Sequence, residues 1–327
     1  MFLFAVWMLF SGALAQCPGP EHVLARYTAS RDRVHHSLAN MTASDVLSLP
    51  CRAAEKYGPA SGPVGPRPEV CNPASMFGDA TTESRFRFAR LPIFSPCQMF
   101  VSRAYGVVFV RQPKSASSAI LEAARAAFSD FEEHTGGALP RGFYVFTFVR
   151  NPWTRALSAH RMMNTIFLRT RESSGAAGGH CRVPFSAFAR DAQALRAACS
   201  ARSCCPYIDP HGDDPRPANS TEPPAAFVPW FIDQHVNDQS GCVGDPGALD
   251  FVGRSEHAGQ DWLLLVSELN RRGPAYPVVT RTPVSNPNGL GRTPDRVQTR
   301  CDSFRSAENV RALALQYAED VVRFGFM

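Results

Sequence analysis

Two short stretches concentrate residues able to grip anions. The first, Pro113-Lys114-Ser115-Ala116-Ser117-Ser118-Ala119, supplies one full positive charge, three hydroxyls and small side chains that let backbone N–H groups approach a ligand. The second carries Arg150, followed eight positions later by Ser158. A guanidinium presents paired donors to a phosphate, and a hydroxyl nearby adds another. The chemistry expected is the binding of two phosphate-like groups. The lysine stands out because, of 34 Lys and Arg residues, only Lys56 and Lys114 are lysines. In so Arg-biased a chain, Lys114 marks a place where a compact ammonium is wanted rather than a planar fork.

Both stretches must sit where a strand gives way to a helix. Tyr105–Val110 is an apolar run rich in β-branched and aromatic residues, read as a buried strand, and Ala119–Phe128 is rich in helix formers. Gly142–Val149 reads as a second buried strand, ended by Arg150-Asn151-Pro152, with a helix over Trp153–Phe167. A helix N-terminus offers unpaired N–H groups and a partial positive charge, and so binds anions. The plain alternative for the first stretch is a serine N-cap, which accounts for one serine only. Arg150 alone reads equally well as an ion pair at a strand end, and Arg155 and Arg161 read as a solvated helix face. The 36-residue separation of Lys114 and Arg150 fits neighbouring parallel strands joined by one crossover helix.

Further along, Leu249–Val252 is expected as a third strand, Gln260–Arg271 as a helix and Ala307–Phe324 as a closing amphipathic helix. The alternation predicts an α/β fold with a central, mostly parallel sheet flanked by helices, binding ligands beyond the carboxyl ends of its strands. Residues 16–90 show no sustained periodicity, and Gly58–Pro68 reads as a Pro/Gly linker. The expected organisation is a signal peptide over 1–15, a stem or N-terminal disulfide-containing region over 16–91, and a catalytic domain over 92–327.

The stretch Phe2–Ala15 carries no charge and ends in Ala13-Leu14-Ala15, as a signal peptide does before cleavage, although a positive n-region is missing. A short retained anchor is the alternative; its 14 apolar residues fall below the roughly 20 needed to span a bilayer. No other segment is read as a membrane span. Ten dispersed cysteines, Cys17, Cys51, Cys71, Cys97, Cys181, Cys199, Cys204, Cys205, Cys242 and Cys301, are expected to form disulfides. Zinc binding around His180, Cys181, Cys199, Cys204 and Cys205 is disfavoured because they contain no C-x-x-C pair. Sequons at Asn40 and Asn219 suit glycosylation in a lumenal compartment. The net charge of +5 suits a polyanionic ligand and does not imply nucleic acid.

These motifs, in order, resemble the 3'-phosphoadenylyl sulfate (PAPS)-dependent sulfotransferases, specifically the Golgi carbohydrate branch. Pro113-Lys114-Ser115-Ala116-Ser117-Ser118 is similar to that family's 5'-phosphosulfate loop, PKxGST or PKxAST. Phe148 to Arg161 is similar to its 3'-phosphate motif, FVRxPxxRxxSxYR, with His160 where Tyr is common. His235-Val236-Asn237-Asp238-Gln239 with Cys242 resembles an HxxPQ…C element, with Asp238 in place of Pro. Asp250–Glu256 and Asp320–Phe326 resemble two further family segments. The resemblance runs from about residue 92 to 327.

The resemblance implies a three-layer P-loop-like fold and transfer of a sulfuryl group from PAPS, without metal, to a hydroxyl of a glycan or proteoglycan acceptor. Lys114 would neutralise charge on the leaving oxygen. Pro113, Lys114, Ser115, Ala116, Ser117, Ser118 and Ala119 would surround the 5'-phosphate, and Arg150 with Ser158 the 3'-phosphate. His134 or His235 would take the acceptor's proton near neutral pH. Arg254 and Glu256 are expected to be structural. The setting implied is the secretory pathway and Golgi lumen, with the protein membrane-associated or secreted. Two other functions suit parts of the pattern: an inactive lumenal glycan-binding protein on the same fold, and a kinase with a degenerate P-loop. The second lacks GxxxxGK[ST], and its lysine precedes rather than follows the small residues.

Overall fold

The computed structural model describes residues 20–55, 60–61, 98–134, 142–174, 183–191, 235–243, 249–272 and 304–327. Among these residues six strands form one mixed sheet: β1 (Ala60–Ser61), β2 (Met99–Ser102), β3 (Val107–Val110), β4 (Glu132–Glu133), β5 (Tyr144–Val149) and β6 (Phe251–Arg254). Their order is β1-β6-β5-β3-β2-β4. The centre is parallel, with β5 between β3 and β6. The flanks are antiparallel: β2 on β3, β4 on β2, and β1 on β6. The expected parallel sheet is thus its three central strands.

Those strands read as unbroken apolar runs because both faces are covered. Alternate side chains point to opposite faces, and two cores result. Val108, Val110, Val145, Val149 and Val252 join one; Phe109, Phe146, Phe148 and Phe251 join the other. On the aromatic face lie α3 (Ser117–Ala127) and, later in the chain, Ala258–Arg271, whose Trp262 and Leu265 are fully buried. Gly253 sits on this face because a Cβ there would lie 2.4 Å from the Phe148 ring.

The valine face is covered by the remaining larger helices. These are α1 (Pro20–Ala39), α2 (Ala43–Glu55), α4 (Pro152–Ser174) and α5 (Phe185–Arg190). With α6 (Ser240–Val243) and α7 (Ala258–Arg271) counted in chain order, the last two are α8 (Ala307–Gln316) and α9 (Ala318–Arg323).

Three features differ from the sequence expectations. Residues 20–55 form two helices packed on the body, although no periodicity announces them. Among the residues of α1 whose burial is described, the inward stripe is Tyr27, Ser30, Val34 and Leu38. Within the Pro/Gly stretch, Ala60 and Ser61 pair with Val252 and Phe251 as an edge strand. The closing helix is two helices, broken at Tyr317 (φ −105°, ψ 35°), whose buried hydroxyl donates to the Val236 carbonyl at 2.8 Å. Among the described residues no helix is long and apolar enough to cross a membrane. The N-terminal segment, Asn219 and the group His180, Cys181, Cys199, Cys204 and Cys205 lie outside the described residues, whereas Asn40 lies on the surface. Cys51, in α2, is disulfide-bonded.

Candidate functional site

Register brings the two candidate anion-binding stretches together. Val110 and Thr147 are Cα partners on parallel β3 and β5, so both strands deliver their carboxyl ends to the same edge. Thr147 ties them further, its hydroxyl donating to the Val110 carbonyl at 2.7 Å. The turn at 113–116 follows β3 and Arg150 follows β5. The Arg150 guanidinium lies against that turn: Nη1 donates to the Lys114 carbonyl at 3.2 Å, and Nε to Thr154 Oγ1 at 3.2 Å.

The first turn is conformationally unusual. Lys114 (φ 66°) and Ala116 (φ 58°) both occupy the left-handed region, which costs a non-glycine residue about 1–2 kcal/mol. Such strain persists only where the surroundings impose it, and it clusters at functional sites. Helix α3 starts directly after Ala116, which provides no side-chain cap. The expected alternative, a serine cap, is therefore not adopted. The first i→i−4 bond runs from the Ile120 N–H to the Ala116 carbonyl at 3.1 Å, leaving the N–H groups of Ser117, Ser118 and Ala119 in the preceding turn. By contrast, Asn151 caps α4 through Oδ1, which accepts from the N–H groups of Trp153 (3.0 Å) and Thr154 (3.3 Å), with Pro152 at the first helical position.

One face of α4 looks onto the turn. Thr154, Ser158 and Met162 are spaced by four and so align along the helix. Thr154 touches Arg150, and Met162 Sδ accepts from Lys114 Nζ at 3.2 Å. Half-buried Ser158 lies between them, on the face shared by the lysine and the arginine.

Three side chains hold this arrangement from beneath. Ser115 is fully buried and donates its hydroxyl to Gln239 Oε1 at 2.7 Å, so that proton is committed inside the fold rather than to a ligand. Arg155, expected on a solvated face, is instead buried: Nε donates to the Pro113 carbonyl at 3.1 Å and Nη1 to the Asn237 carbonyl at 2.7 Å. Arg161 is exposed as expected. Gln239 reaches both corners. Its Oε1 also accepts from the Arg150 N–H at 2.7 Å, and its Nε2 donates to the Arg150 carbonyl at 2.8 Å. The sequence offers no local sign of the roles of Arg155 and Gln239, because their partners come from segments remote in the chain.

Arg254 and Glu256 are both engaged in structural bonds. The Arg254 guanidinium donates to the Phe324 carbonyl at 2.6 Å and lies 4.5 Å from the Phe326 ring centroid. Glu256 Oε1 accepts from the Asn151 N–H at 3.0 Å, bracing the entry to α4.

The two candidate bases occupy different places. The His134 N–H donates to the Met99 carbonyl at 2.8 Å, and Met99 faces Val110. His134 therefore lies on the carboxyl edge of the sheet, about two strand spacings, or ~10 Å, from the end of β3. His235 is half-buried two residues before Asn237, the acceptor for Arg155. A third histidine, His160, is buried; its Nε2 lies 2.7 Å from the Val183 carbonyl, and burial holds its pKa below the usual value. It is a core residue.

Below Gln239 lies a buried acidic group. Asp320 Oδ2 accepts from the Gln239 N–H (3.0 Å) and Nε2 (3.2 Å), and Oδ1 from the Ser240 N–H (2.7 Å). Asp238 is also buried; desolvation first, then the carboxylates of Asp320 and Glu319, push its pKa well up, with Arg155 opposing. Among the described residues no group of histidine, cysteine and carboxylate side chains is arranged to hold a metal ion. Comparisons of the chain with protein-family models, curated proteins and solved structures give no match.

Proposed function

We propose that this protein is a sulfotransferase that moves the sulfuryl group of PAPS onto a hydroxyl of a carbohydrate acceptor, on a three-layer P-loop-like fold, within the secretory pathway and Golgi lumen. The observation that carries the reading is the Arg150 guanidinium seated on the Lys114 carbonyl, at the ends of adjacent parallel strands. A ligand phosphorylated at two positions matches two neighbouring cationic corners better than a singly phosphorylated one does. The strained turn and the helix start without a side-chain cap support an anion at the first corner. The alignment of Ser158 with Thr154 and Met162 supports its joining Arg150 at the second.

In the proposed reaction an acceptor hydroxyl oxygen attacks sulfur in line, and the bond from sulfur to the bridging oxygen of the 5'-phosphate breaks. The electron pair stays on that oxygen, where Lys114 and the first N–H groups of α3 neutralise it. The hydroxyl proton passes to a base. His134, on the same sheet edge as the turn, and His235, beside the Asn237 strut, are the candidates. The N–H groups of Ser117, Ser118 and Ala119, with the exposed Ser118 hydroxyl, hold the 5'-phosphate.

The test is transfer of labelled sulfate from PAPS to glycan, peptide and small-alcohol acceptors. Lys114→Ala is expected to lower turnover by about a hundredfold or more and to leave the circular dichroism spectrum unchanged. Undiminished turnover by a folded Lys114→Ala variant excludes the mechanism. Transfer to peptide alone would replace the carbohydrate acceptor and keep the chemistry.

A further inference from the structure

Gln239 makes four side-chain hydrogen bonds, which is all that a primary amide can make. Oε1 accepts from Ser115 Oγ (2.7 Å) and the Arg150 N–H (2.7 Å); Nε2 donates to the Arg150 carbonyl (2.8 Å) and Asp320 Oδ2 (3.2 Å). Its backbone adds two more bonds, its N–H to Asp320 Oδ2 (3.0 Å) and its carbonyl from Gln112 Nε2 (3.2 Å). The orientation of the amide is determined. Turned over, its NH₂ would face the Arg150 N–H, and its oxygen would face a carbonyl and a carboxylate. The residue is fully buried, so each of these bonds is unscreened and costly to lose.

A single rigid group therefore touches both corners. Gln112 and Ser115 lie in the segment that follows β3, and the N–H and carbonyl of Arg150 lie directly after β5. Asp320, on α9, fixes the amide from behind. We infer that Gln239 is a positioning residue that sets the distance between the two anion grips, so that a ligand phosphorylated at both ends gains affinity from simultaneous engagement. Gripping a ligand at two points strengthens binding only when the spacing of the grips matches the ligand and is held there. The brace accordingly confers selectivity for a doubly phosphorylated nucleoside without touching it. This inference rests on the proposal that the two corners hold one nucleotide.

The experiment measures the affinity of the full chain for adenosine 3',5'-bisphosphate, adenosine 5'-monophosphate and adenosine 3'-monophosphate. Gln239→Ala is expected to weaken the bisphosphate by about tenfold more than either monophosphate. Loss of equal size on all three ligands, or none, overturns the brace and leaves the nucleotide reading intact. If the unsubstituted protein fails to bind the bisphosphate, the nucleotide reading itself fails and the brace with it. If Gln239→Ala does not fold, Ser115→Ala decides the matter. It removes one of the four bonds and leaves the amide on Arg150, so the same selective loss upholds the inference and a uniform one overturns it.

Discussion

Single residues in the turn before α3 trade stability for geometry. Ala116 pays the steric cost of a left-handed backbone without the hydroxyl or glycine that usually starts a helix. Ala116→Gly is expected to raise stability by about 1 kcal/mol, read as a higher urea midpoint with an unchanged slope. Arg155 shows the opposite economy. Its guanidinium is buried against two carbonyl oxygens, those of Pro113 and Asn237. Arg155→Leu leaves both carbonyls unpaired and is expected to cost about 3 kcal/mol, measured by equilibrium unfolding. Arg155→Lys is expected to recover only part of this, since an ammonium cannot reproduce the planar fork. The placement of Lys114 and Arg150 was legible in the sequence because each follows a recognisable strand end, and that of Ser158 because it lies two turns along the helix after one. Arg155 was not: on a helix an arginine reads as solvent-facing unless its acceptors are known, and both acceptors are remote.

Among the elements, the central strands were the most legible. β3 and β5 are covered on both faces, so their sequences are unbroken apolar runs bounded by turn residues. The edges were not. β4 is two exposed glutamates, a charged edge that carries no alternating pattern. β1 is two residues inside a Pro/Gly stretch, held by its pairing to β6 rather than by any propensity of its own. Helix α1 escaped notice because its described inward stripe, Tyr27, Ser30, Val34 and Leu38, includes a serine and is set among exposed polar residues. Gly253 shows how strongly the central pairing is constrained. It stands beside Phe148 on β5, whose ring fills the space a side chain would need. Gly253→Ala is expected to destabilise the fold by about 2 kcal/mol through displacement of that ring, observed in thermal or urea unfolding. Gly253→Val should cost more, the order in which larger groups meet the same obstacle.

For the molecule as a whole, the buried acids set a pH signature. The Asp238 pKa is raised in the folded protein, by burial first and then by the Asp320 and Glu319 carboxylates. Glu319 is likewise raised by burial, against the opposing pull of Arg323 and Arg26. In the unfolded chain an aspartate loses its proton near pH 4, whereas folded Asp238 keeps it to higher pH. The folded state then binds more protons, and stability falls as pH rises from about 4 through the folded value. Asp238→Asn, neutral at every pH, is expected to remove that part of the decline. The difference in melting temperature between variant and parent should therefore grow in the variant's favour from pH 4 toward neutrality. A constant difference across that range would assign Asp238 no such role. The wider charge balance, +5 overall, adds only a mild attraction for anionic ligands.

All the described strands lie before residue 255, yet the amide that ties their ends together is fastened to Asp320, and Arg254 is fastened to the carbonyl of Phe324. During synthesis the sheet's strands leave the ribosome well ahead of those anchors. A nascent chain can thus pair those strands before their ends are braced, and the brace is complete only after residues 320–326 have emerged and docked. The spacing of the strand ends is therefore locked later than the strand pairing that sets their order.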